Sequence, residues 1–221
     1  MNTEEVIKDI RRRCCLAMNG IVSANMRSYG LNYKVNFGVS LQKIREMAGY
    51  YQPSAALAGA LWQEYARELK ILATLLFPVE DFDRNTAETW LAGICNQEIR
   101  EQVCLNLFQK LPFAETLACE WGNSEDESVR TTGYWLLVRL LLAGKTTAGN
   151  CNHLFADLTS ENVSLRNAAL LLLKRLGCLS KTAAEEIMNS IASFQNASDP
   201  VMKEIFDSLN FEFEYRKRKM C

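Results

Sequence analysis

Four arginines recur along this 221-residue chain in one local setting, each following an apolar or small residue where a helix-period run begins. They are Arg67 in ARELKILATL, Arg100 in IREQVCLNLF, Arg130 in VRTTGYWLLV and Arg166 in LRNAALLLLK, at spacings of 33, 30 and 36. A guanidinium group is a planar fork that binds phosphate oxygens bidentately, so a row of them on one face suits a nucleic-acid backbone. Taken singly, each is also what any amphipathic helix shows at a solvated position; only their recurrence argues for more. Other chemistry is sparse. The single histidine, His153, has no nucleophile marked beside it, which excludes most Ser-His and Cys-His schemes. Eight cysteines, at 14, 15, 95, 104, 119, 151, 178 and 221, contain no CxxC pair, and only Cys151 lies near His153, so no metal site is expected.

The elements that must position these arginines are helical. Apolar residues recur at i, i+3, i+4 and i+7, and alternating β-branched segments bounded by hairpin turns are absent. The four prolines, at 53, 78, 112 and 200, fall where a helix starts or has just ended. Ser40, Pro53, Thr86 and Ser124 mark helix starts, and Gly49, Gly144 and Gly177 stand where C′ glycines end helices. Positions +4 and +5 from each arginine are Ile71/Leu72, Cys104/Leu105, Tyr134/Trp135 and Leu170/Leu171, a stripe that packs on a common face. Partner helices are expected over 86–94, 112–121 and 148–158. A period of this length in helix pairs is the signature of an α-solenoid, in which each unit buries its apolar face against its neighbours. The expected organisation is one array over 1–221, with N-terminal helices in 1–50, repeat pairs over about 53–214 and a basic tail at 215–221.

Composition limits the function classes. The net charge of −1 and pI near 6.0 argue against a surface devoted wholly to phosphate, which leaves local patches such as Arg11-Arg12-Arg13 and Arg216-Lys217-Arg218-Lys219. The most apolar run, 136–143, contains Arg139, and no stretch reaches the roughly 18 residues of a membrane span. The start, MNTEEVIKDIRRRCC, lacks the apolar core of a secretory signal, so a cytoplasmic, reducing location is expected.

VNFGVSLQKIREMA (35–48), ALWQEYARELKILATLL (60–76), REQVCLNLFQKLPFAETLACEW (100–121) and ESVRTTGYWLL (127–137) together resemble the DNA alkylation repair family of HEAT-like repeat DNA glycosylases, in the family's order, over about residues 35–177. The resemblance implies an α-solenoid of antiparallel helix pairs, wound as a right-handed superhelix with a basic concave face for double-stranded DNA. It also implies excision of N3- or N7-alkylated purines with no metal or cofactor. A ring-alkylated purine is a cationic leaving group, so the site needs a carboxylate for the oxocarbenium-like sugar and aromatic faces for the base. On this pattern the family's aspartate falls on Glu101, its two tryptophans on Gln97 and Leu171, and its basic pair on Arg130 followed by Thr131. Three functions follow: a glycosylase using Glu101 with Arg67, Arg100, Arg130 and Arg166 on phosphates; a non-catalytic relative that binds DNA structures; or a HEAT-like scaffold for a protein partner. A monomer is expected.

Overall fold

The computed structural model describes residues 2–147 and 151–220, the side chains of 217–220 excepted. The chain packs as two compact units, Met1–Pro112 and Phe113–Cys221. Among the described residues there are twelve α-helices and no strand, only an isolated bridge between Val35 and Ala66. The all-α architecture of stacked helix pairs expected from the sequence is the one observed.

The first unit holds α1 (Thr3–Leu16), α2 (Gly20–Ser28), α3 (Leu41–Ala48), α4 (Ala55–Trp62), α5 (Arg67–Leu76), α6 (Arg84–Ala92) and α7 (Gln97–Asn106). Asx and Ser side chains start six of the seven, each accepting a backbone N–H of the first turn. The exception is α5, whose N-cap is Ala66. Its start is fixed from outside, by the backbone bond from Arg67 N to Val35 O at 3.0 Å. α5 lies against α3, α4 and α7 and is buried on all sides, including its charged Arg67, Glu68 and Lys70. Beside it, Trp62 of α4 stacks on Trp90 of α6 with ring centres 4.3 Å apart, and Phe77 and Phe82 meet Trp90 edge-on.

The second unit holds α8 (Ala114–Gly122), α9 (Glu127–Leu142), α10 (Val163–Gly177), α11 (Lys181–Ser190) and α12 (Pro200–Met220). α9 packs against α8 and α10, and α10 against α11 and α12. The α8–α9 contact depends on Gly133: a Cβ there would stand 2.2 Å from the backbone nitrogen of Gly122, so the helices touch main chain to main chain. Gly144 ends α9 at φ +65° in a Schellman motif, with Gly144 N bonded to Leu141 O and Lys145 N to Leu140 O.

Several boundaries differ from expectation. Gly49 is an α-region C-cap, and Gly177 is the last residue of α10, placed where the Phe213 ring leaves no room for a Cβ. Asp83 and Asp126, not Thr86 and Ser124, cap α6 and α9. Of the expected helix 148–158, residues 148–150 lie outside the described residues. The remainder forms turns and a 3-10 helix, Ala156–Thr159. Cys151, Leu154 and Leu158 still face the core, so the apolar spacing that suggests a helix is served by tight turns instead. The basic tail continues α12, but the side chains of Lys217, Arg218 and Lys219 lie outside the described residues.

Candidate nucleic-acid interface

α7 carries the residues at the resemblance's catalytic positions. Asn96 caps it, its Oδ1 accepting Ile99 N at 3.0 Å, and Ile99 and Val103 anchor its inner face. Gln97, Arg100 and Glu101 then share one side at i, i+3 and i+4. The Gln97 amide joins the other two: its Oε1 accepts Arg100 Nη1 at 2.8 Å and its Nε2 donates to Glu101 Oε1 at 3.0 Å. Burial draws the Arg100 guanidinium below its ordinary range, while the nearby Cys104 and Glu101 act in the opposite sense. Glu101 and Gln97 are half-buried. Counting from the cap, Glu101 is the fifth residue of the helix, beyond the first turn.

The arginines divide by register. Arg100, Arg130 and Arg166 each occupy the fourth position of a helix, their N–H bonded to the carbonyl of the capping residue, Asn96, Asp126 and Asn162. Arg67 is the first residue of α5; the cation at the fourth position there is Lys70, bonded to Ala66 O. The structural repeat is therefore Lys70, Arg100, Arg130 and Arg166, at spacings of 30, 30 and 36. Sequence reading missed Lys70. The regular 30-residue step from 70 to 100 to 130 is the signal that could have found it.

Three of these cations pin the turn before their own helix. Lys70 Nζ donates to Trp62 O at 2.6 Å, Arg130 Nη1 to Ser124 O at 2.6 Å, and Arg166 Nη1 to Ser160 O at 2.7 Å. Carbonyls at helix ends lack intrahelical donors, and a buried cation supplies one. Arg130 is buried and also forks onto Asp157, with contacts of 2.8 and 3.0 Å, while Tyr134 Oη donates to the same carboxylate at 2.6 Å. Arg67, 1% exposed, forks onto Glu98 at 2.8 and 2.6 Å and reaches Val39 O and Glu68 with Nη1. Burial opposes the Arg67 charge, but the Glu98 and Glu68 carboxylates outweigh it and hold the group above its usual range. Arg166 is half-buried.

The two remaining family positions lie in the second unit. Thr131 is buried, its Oγ1 donating to Glu127 O at 2.6 Å within α9, and Leu171 is half-buried on α10. Of the four tryptophans, Trp62, Trp90 and Trp121 are buried in the core and Trp135 is half-buried on α9. Among the described residues no three His, Cys, Asp or Glu side chains are grouped as a metal site requires, and no helix is long and apolar enough to cross a membrane.

A family model described as DNA alkylation repair enzyme matches residues 22–162. No curated protein matches the chain. A solved structure from work on a new family of proteins related to the HEAT-like repeat DNA glycosylases, with affinity for branched DNA structures, superposes with a TM-score of 0.72 at 15% identity, covering 95% of this chain and 94% of that one. The likeness is one of fold.

Proposed function

The chain belongs to the DNA alkylation repair enzyme family, and we propose that within it the protein binds structured DNA, duplexes that branch or bend, without excising alkylated bases. One observation carries this reading: Gln97, where the resemblance would put a tryptophan, has its amide engaged by Arg100 and Glu101. Excision needs a carboxylate facing the developing sugar cation and an aromatic face for the departing purine. Glu101 instead accepts an amide N–H, and neither Gln97 nor Leu171 offers a ring. The affinity for branched DNA described for the structurally similar family favours binding as the retained activity. Of the four arginines, we assign phosphate contact to Arg166, which is half-exposed; Arg67, Arg100 and Arg130 are buried.

Two measurements on the full chain test this. Binding to a linear duplex and to a four-way junction across a salt series is expected to favour the junction and to weaken steeply with salt, because phosphate contacts release counterions. Arg166→Ala is expected to reduce the slope of log K against log salt by about 1. Incubation of excess protein with duplexes containing 7-methylguanine or 3-methyladenine is expected to release base only at the spontaneous rate. Absence of binding at low salt would overturn the reading. So would base release that Glu101→Gln abolishes.

A further inference from the structure

The arginine cluster of α1 is not used by this reading, yet it sits among exposed aromatic rings. Arg13 lies over the ring of Tyr50 at 4.9 Å and that of Tyr51 at 6.0 Å. Tyr50 is 62% exposed. Around them opens a cleft of about 450 Å³ lined by Val6, Asp9 and Arg13 of α1, by Tyr50 and Tyr51, and by Leu57 of α4, among others. Asp9 sets its floor, accepting Tyr51 Oη at 2.8 Å and pairing with Arg12 and Arg13 at 2.9 and 2.8 Å. Two residues earlier on α1, Arg11 pairs with Glu64 at 2.5 Å. The next residue, Tyr65, is 63% exposed with Lys34 Nζ 3.8 Å from its ring centre. One exposed ring thus stands beside Arg13 of α1, and a second follows Glu64, the partner of Arg11, in the chain, each with a cation over it.

We infer that this surface of the first unit binds unpaired nucleotides, with bases stacking on Tyr50 and Tyr65 and phosphates meeting Arg11, Arg12 and Arg13. Core packing does not explain these rings, which stay exposed with a cation over one face of each. Exposed rings interleaved with cations are the elements by which proteins hold single strands without reading sequence. The Arg11 and Arg12 side chains, 53% and 67% exposed, are accessible to a phosphate, the cleft volume fits a base-sized group, and Tyr51, tied to Asp9, keeps the adjoining wall rigid. Unpaired nucleotides occur where duplexes branch, so the inference deepens the structured-DNA reading and rests on it.

The test uses the full chain and three probes: a fully paired four-way junction, the same junction carrying a ten-nucleotide oligothymidine arm, and the oligothymidine alone. Wild-type protein is expected to bind the armed junction on the order of tenfold more tightly than the paired one. Tyr50→Ala and Tyr65→Ala are expected to erase that preference and leave affinity for the paired junction unchanged, whereas Tyr50→Phe keeps it. Arg12→Glu, at a side chain 67% exposed, is expected to erase it too and stands in if a tyrosine variant fails to fold. Equal affinity of wild type for the two junctions would overturn the inference, as would a preference that survives in the folded alanine and Arg12→Glu variants. If neither junction binds, the structured-DNA reading fails by itself. Tyrosine-dependent binding of oligothymidine would then still support the surface, and its absence would reject it.

Discussion

α5 of the first unit and α9 of the second solve the same problem with different partners. Each buries an arginine in its first turns and gives it a carboxylate from a later element. In α5 the arginine is the first residue, and Glu98 and Glu68 hold it while Val39 O and Phe37 N complete the network. In α9 it is the fourth residue, and Asp157 and Tyr134 complete a smaller set. The difference teaches that a recurring arginine in a helical repeat is first a device for satisfying buried polar groups, and reaches solvent only where no carboxylate is built for it, as at Arg166.

The largest effect is expected at the denser network. Arg67→Ala leaves Glu98 and Glu68 buried without their cation and should cost about 3–5 kcal/mol, seen as a lower denaturant midpoint at unchanged slope. A cost below that of Arg130→Ala would break the comparison. Arg130→Ala should cost about 3 kcal/mol, because Asp157 keeps the Tyr134 hydroxyl. Glu98→Gln should cost about 2 kcal/mol at neutral pH. Burial works against the Glu98 charge, but hydrogen bonds from Arg67 and Tyr33 hold its carboxyl below the ordinary range. That stability is thus present above the unfolded value near 4.3 and lost as pH falls through the folded one. An acid titration should accordingly be shallower below about pH 4.3 in the variant than in wild type. Lys70→Met should change stability by no more than about 1 kcal/mol, since relief of a buried ammonium offsets the donor lost to Trp62 O. Arg166→Ala should stay within about 0.5 kcal/mol while weakening DNA binding.

The helical fold and its pairing were legible because the apolar period of 3.6 is a local signal, readable without knowing any contact; the caps were less so, since Asp83 and Asp126 hold the starts expected at Thr86 and Ser124. The register of the cations was not. Arg67 and Lys70 are three residues apart on one helix, and α5 lacks a capping side chain, so nothing local says which of them begins the repeat; a backbone bond from Val35 decides it. That neither Gln97 nor Leu171 offers a ring was visible as residue type. That Gln97 joins Arg100 to Glu101 required the helix and its rotamers. The aromatic setting of Arg13 was hidden for a different reason: Tyr50 and Tyr51 lie far along the chain and meet α1 only through packing.

The segment 35–39 is held from both sides of the chain: Asn19 and Ser23, made before it, bond Phe37 O and Asn36 O, and the remaining bonds come from residues made after it. Arg67 N binds Val35 O, Glu68 accepts the amides of Phe37 and Val39, and the Arg67 that binds Val39 O is itself fixed by Glu98. During synthesis, at about 5–20 residues per second, the amides of Phe37 and Val39 must therefore wait for Glu68, and the Arg67 beside it waits longer for Glu98 of α7. The polar network of the first unit closes only when α7 has been made, and a chain halted before residue 98 should show segment 35–39 more open to protease than the finished unit does.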